Sequence, residues 1–134
     1  MILADITAGI ATRVRRCPPL QQVYDVPPAG TPEVPCVVIE FPTVITYHSD
    51  MAHDITKLAV GLKLMLGRGD AEGAYRQFAE LLSTEGPNSL VRALEDKGAP
   101  PDPLPWHRLK VATSDVPRDE GDNITAALVL ELDA

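Results

Sequence analysis

Aromatic side chains are scarce: one Trp, two Phe and three Tyr make up 4% of the 134 residues. With 45% apolar residues, the core must be aliphatic. Basic residues are also few, 12 Lys and Arg against 19 Asp and Glu, for a net charge of −7. That balance argues against a general nucleic-acid binder, which needs clustered cations to neutralise phosphates. It suits a surface that DNA must pass without sticking. No apolar run approaches the roughly 20 residues of a membrane-spanning helix, so no membrane association is expected. The N-terminus shows no basic region followed by an apolar stretch, so no secretory signal is expected. The only two cysteines, Cys17 and Cys36, lie beside prolines in different segments. Two free thiols are expected, one disulfide being the alternative. His48, His53 and His107 show no ligand spacing with them, so no metal site is expected there.

What is present is a strong pattern in one stretch. Leu58, Val60, Leu62, Leu64 and Leu66 alternate with Lys57, Ala59, Gly61, Lys63 and Met65. A period of two is the pleat of a strand with one fully apolar face. Gly67-Arg68-Gly69-Asp70 ends it, read as a turn and helix cap rather than a phosphate loop, since the glycine fingerprints are incomplete. Ala71, Ala74, Tyr75, Phe78, Leu81 and Leu82 then follow a helical stripe.

The rest reads in the same way. Leu3, Ile6, Ile10 and Val14 make an N-terminal helix, with Arg13, Arg15 and Arg16 near its C-terminal end, where cations are favoured. Residues 22–26 form a short strand, and four prolines stiffen the loop from Pro27 to Pro35. A strand from Cys36 to Tyr47 is interrupted at Pro42, and proline in a ladder marks an edge or a bulge. Leu90, Val91 and Leu94 form a third helix ending near Lys97-Gly98. After a proline-rich linker, Trp106 to Ser114 is a strand with Trp106 as an anchor. The segment Pro117 to Asp122 is an acidic turn. Ile124, Ala126, Leu128, Leu130 and Leu132 define a C-terminal strand. The order α-β-β-β-α-α-β-β predicts one α+β domain over residues 1–134, a mainly antiparallel or mixed sheet packed against two to three helices.

No nucleophile–base pair has a local signature, and Ser83, Ser89 and Ser114 stand where hydroxyls cap backbone groups. His48, Asp50, His53 and Asp54 are read either as the polar tip of a hairpin or as ligands of a divalent metal. Asp115, Asp119, Glu120 and Asp122 lack the spacing of a calcium loop. No cofactor is expected.

Taken together, the chain resembles the tail terminator proteins of long-tailed, non-contractile bacteriophages, of the actinobacteriophage type. The resemblance covers nearly the full length. It rests on the helix Ile2–Arg16, the strand end Val23-Tyr24-Asp25-Val26-Pro27-Pro28, and the strand Pro35-Cys36-Val37-Val38-Ile39. It continues in Leu64-Met65-Leu66-Gly67-Arg68 and in the segment from Gly86-Pro87-Asn88-Ser89 to Glu95. Val26 stands where the family often has an aromatic residue. The resemblance implies a homo-hexameric ring at the head-proximal end of the virion tail, made in the host bacterial cytoplasm. Such a ring caps the tail tube and stops its polymerisation. It contacts the major tail tube protein and the head–tail connector proteins, and DNA passes through its lumen without specific binding. No catalysis is implied. The polar tip (His48, Ser49, Asp50, Met51, His53 and Asp54) is expected to touch a neighbouring subunit or the tube. The acidic turn (Asp115, Asp119, Glu120 and Asp122) is expected at the lumen or a subunit seam. The competing readings are another neck ring protein and a small metal-dependent enzyme using the histidine–aspartate tip.

Overall fold

Ten elements follow one another along the chain in the computed structural model: α1 (Leu3–Val14), β1 (Gln22–Tyr24), β2 (Cys36–Ile39), β3 (Val44–Asp50), β4 (Ile55–Gly67), α2 (Ala71–Leu81), α3 (Leu90–Glu95), β5 (Arg108–Ser114), β6 (Arg118–Glu120) and β7 (Asn123–Asp133). The structure describes residues 2–20, 22–26, 28–30, 33–40, 42–50, 55–67, 69, 71–96 and 104–134, the side chains of 48–50 and 71 aside.

The two long alternating strands form the centre of the sheet. β4 and β7 pair antiparallel without a break from Lys57↔Asp133 to Gly67↔Asn123. Their apolar positions coincide across the ladder: Leu58 faces Leu132, Val60 faces Leu130, and Leu62 faces Leu128. These side chains are buried on one face. A single-residue slip would turn every one of them to the opposite face, so the pattern fixes the register.

Each central strand is flanked by a broken partner. β2 pairs with the second half of β4, and β3 with its first half, both antiparallel. β5 and β6 divide the outer edge of β7 in the same way. β1 adds to β2 in parallel, which completes a mixed seven-stranded sheet. The α+β architecture is therefore as expected from sequence.

Several boundaries differ from the sequence reading. The expected strand from Cys36 to Tyr47 is two strands. Pro42 lacks an N–H, and the ladder resumes on either side of it, with Glu40 N–H donating to Gly61 and Thr43 N–H to Ala59, both at 2.9 Å. β3 runs on to Asp50, which pairs with Ile55. His48, Ser49 and Asp50 are thus strand residues rather than a loop tip. Met51, Ala52, His53 and Asp54 lie outside the described residues, as do Arg68 and Asp70 of the predicted turn and cap. The acidic turn is also partly strand: Arg118–Glu120 pairs with β7, and only Gly121 and Asp122 turn the chain. Gly121 adopts φ +64°, the left-handed geometry that a short turn demands and glycine tolerates. β5 begins at Arg108 rather than Trp106. α3 ends at Glu95, and Lys97-Gly98 falls outside the described residues.

The helices cover the leucine face. Ile6, Ile10 and Val14 of α1, Ala74, Phe78 and Leu81 of α2, and Leu90 and Leu94 of α3 join β4 and β7 in one buried cluster. Tyr75, placed on the inward stripe by periodicity, is 44% exposed. α3 is only six residues long and starts from a side-chain cap, Ser89 Oγ accepting from Arg92 N–H at 3.1 Å. That cap offsets part of the cost of so short a helix.

Candidate functional site

The face of the sheet opposite the helices carries Lys57, Ala59, Gly61, Lys63 and Met65 of β4. Beside them stand Thr125, Ala127, Val129, Glu131 and Asp133 of β7. Opposite charges meet across it. Lys110 reaches Glu131 at 3.3 Å, and Lys63 reaches Glu120 at 2.8 Å. A small second cluster of Cys36, Val38 and Met65, with Tyr24 packed against it, closes the β1–β2 end of this face. At the other end a trough of about 390 Å³ crosses four strands, between Val44, Lys57, Arg108, Lys110 and Glu131. Val44 and Tyr47 of β3 are 56% and 64% exposed. These are large apolar groups on a strand with a partner on one side only among the described residues.

The acidic residues singled out in the sequence are brought together along the β5–β6–β7 connection, and they divide into two kinds. Glu120 accepts from Lys63 Nζ at 2.8 Å and from Thr125 Oγ1 at 2.9 Å. These hydrogen bonds, the one from Lys63 first, hold its carboxyl below the usual glutamate range. Asp115 accepts from Ala127 N–H at 2.6 Å and pairs with Arg118 at 3.4 Å. Both carboxylates hold the connection onto β7. Asp119 and Asp122 are exposed. Of the other expected contact group, His48, Ser49 and Asp50 lie on β3, and the rest lie outside the described residues.

The sequence reading missed a third feature, built around Arg13. This arginine is 1% exposed, whereas its place at the helix end predicts a solvated cationic cluster. The signal was present, because Arg13 follows Ile10 by three residues on the stripe that buries Ile6, Ile10 and Val14. Its guanidinium lies 5.1 Å from the centre of the Trp106 ring. One terminal nitrogen donates to the Leu94 carbonyl oxygen. Nε and the other terminal nitrogen are buried without a hydrogen-bond partner among the described residues. Burial lowers the pKa of Arg13, opposed by the charge of Asp96. Trp106 itself lies against α1 where Gly9 leaves room for it. A Cβ at Gly9 would stand 2.9 Å from the indole ring. The expected anchor role of Trp106 is thereby visible as a packing contact.

Beside this pair, a cavity of about 420 Å³ opens between Arg13, Trp106, Glu95 and the β5 residues Arg108 and Lys110. Glu95 Oε1 accepts from Val111 N–H at 2.8 Å, so this carboxylate covers a donor on the outer edge of β5.

The serine hydroxyls serve the backbone. Ser83 donates to Ala79 at 2.6 Å, Ser114 to Asp115 at 2.9 Å, and Ser89 to Ser83. Among the described residues, no group of three or more His, Cys, Asp or Glu could hold a metal ion. His53 and Asp54 of the metal reading lie outside them. Cys17 and Cys36 are both buried, and no disulfide joins them. Burial pushes the Cys17 thiol from 9.0 up to about 11, and burial also raises Cys36. Among the described residues, no helix is long and apolar enough to cross a membrane. No protein-family model and no curated protein matches this sequence.

Proposed function

We propose that this chain is a tail terminator of a long-tailed, non-contractile bacteriophage. In this reading six copies form a ring that caps the tail tube, stops its growth and presents a face to the head. The resemblance of segments spread along the chain motivates the assignment. The observation that carries it is the division of labour across the sheet. One face is sealed by helices, while the other is broad, bears paired charges and small residues, and has no described element over it. An assembly protein needs such an uncovered face on a rigid scaffold. Its acidic balance lets DNA pass, because few phosphate contacts form.

The reading is tested by removing the gene from the phage that encodes the chain. Lysates should contain tails of irregular length that fail to join heads, and supplying the chain in trans should restore infectious particles. Tails of normal length that still lack heads would assign the chain to a neck ring above the terminator instead.

A further inference from the structure

Val116 is 78% exposed, the most exposed large apolar side chain among the described residues. A single exposed valine is ordinary, but this one is held out rigidly. Asp115 N–H donates to the Ala127 carbonyl at 2.9 Å, and Ala127 N–H donates back to the Asp115 carboxylate at 2.6 Å. On the far side Arg118, which reaches Asp115 at 3.4 Å, already pairs with β7. Only Val116 and Pro117 leave the ladder, so they form a fixed apolar knob between β5 and β6. Its surroundings are acidic: residues 115–122 carry four carboxylates and one arginine.

A matching recess lies on the open face of the sheet. The trough of about 390 Å³ has Val44, 56% exposed, as its apolar wall. The register sets Lys57, Asp133 and Arg108 in one row across the strands, and Glu131 with Lys110 in the next. Lys110 and Glu131 pair at 3.3 Å, which leaves Lys57 and Arg108 against Asp133. The recess is therefore apolar at one wall and cationic on balance, while the knob is apolar with an acidic border. An apolar centre inside a rim of complementary charge is the usual anatomy of a protein contact. The knob cannot fill the trough of its own copy. It is tied to Ala127, whereas Glu131 and Asp133 lie four to six residues further along β7, roughly 13–20 Å away. The two surfaces can meet only between copies. A contact between two different patches is heterologous and gives a ring when its rotation closes.

We propose that the Val116-Pro117 knob of one copy seats in the Val44–Lys57–Arg108 trough of the next and forms the seam of the ring. The inference rests on the ring reading and specifies which surfaces meet.

The test uses virions in which Val116→Cys and Val44→Cys are combined. Both positions are exposed, and the native Cys17 and Cys36 are buried. After mild oxidation, a non-reducing gel should show a ladder of this chain up to six copies for the pair and monomer for either single variant. If the double variant builds no particles by itself, mixed particles with the wild-type chain should show its disulfide-linked dimer. Val116→Ser adds a second readout. It should leave the urea midpoint of the free protein unchanged and lower virion yield at least about tenfold, as loss of an anchor at every seam requires. Particles that contain the chain, join heads normally and give no cross-link would overturn the seam while leaving the ring reading intact. Full yield from Val116→Ser, or a cross-link in a single variant, where like surfaces must meet, would do the same. Virions without the chain would remove the ring reading and the seam with it.

Discussion

The guanidinium of Arg13 stands 5.1 Å from the centre of the Trp106 ring, joining the N-terminal helix to the segment that leads into β5. The contact holds together elements far apart in sequence, and it places a positive charge where an aliphatic side chain would fit the helical pattern. Among the described residues two of the Arg13 nitrogens are buried without a hydrogen-bond partner, and that cost offsets the bond to Leu94 and the contact with the ring. Arg13→Met should therefore change the unfolding free energy by no more than about 1.5 kcal/mol. Chemical denaturation measures the change. A loss of several kcal/mol would make Arg13 a structural residue.

Leu62 is 1% exposed and sits between Ile39 on β2 and Leu128 on β7. Leu62→Ala leaves a void flanked by strands on both sides, where collapse is difficult. The expected cost is about 2–5 kcal/mol in urea denaturation. A change under about 0.5 kcal/mol would contradict the placement of the alternating face in the core.

Lys63 and Glu120 bridge β4 to β6, and the hydrogen bonds to Glu120 depress its carboxyl pKa. A depressed acid contributes stability above its unfolded pKa and loses it as pH falls through the folded value. Wild type should therefore lose stability on acidification below the ordinary glutamate range more steeply than Glu120→Gln. Thermal unfolding of both proteins across that interval checks the sign. Identical slopes would show that the pair is electrostatically silent.

Cys17 and Cys36 lie in different buried clusters, with thiols made harder to ionise by burial. Neither should react with iodoacetamide in the native protein at neutral pH, and both should react in denaturant. Because the folded state keeps the Cys17 proton up to about pH 11, its contribution to stability is lost as pH rises from 9.0 toward that value. Mass spectrometry of alkylated samples counts the thiols. A Cys17–Cys36 bridge in freshly purified protein would contradict the expectation.

The central strands were legible from sequence because each buries one face fully and leaves the other mixed, which imposes a strict period of two. The helices were legible for the same reason at a period of 3.6. Pro42 announced a break, but whether a proline bends one strand or divides it into two depends on how the partner ladder resumes, and that is decided by β4. The strand at Arg118–Glu120 was hidden because all three of its residues are charged. Its pairing is driven by the N-terminal part of β7 and by the Lys63–Glu120–Thr125 contacts, which are not local in sequence. Arg13 was misread because the helix end offered a sufficient local reason for a cation there. Only the distant Trp106 and Leu94 show that the side chain turns inward.

The most direct measurement is a cryo-electron microscopy reconstruction of the virion whose genome encodes this chain, resolved at the junction of head and tail. The account predicts six copies of the chain in a single ring on the head-proximal end of the tail tube. A different stoichiometry around the tail axis, a position elsewhere in the particle, or absence from it would contradict the account.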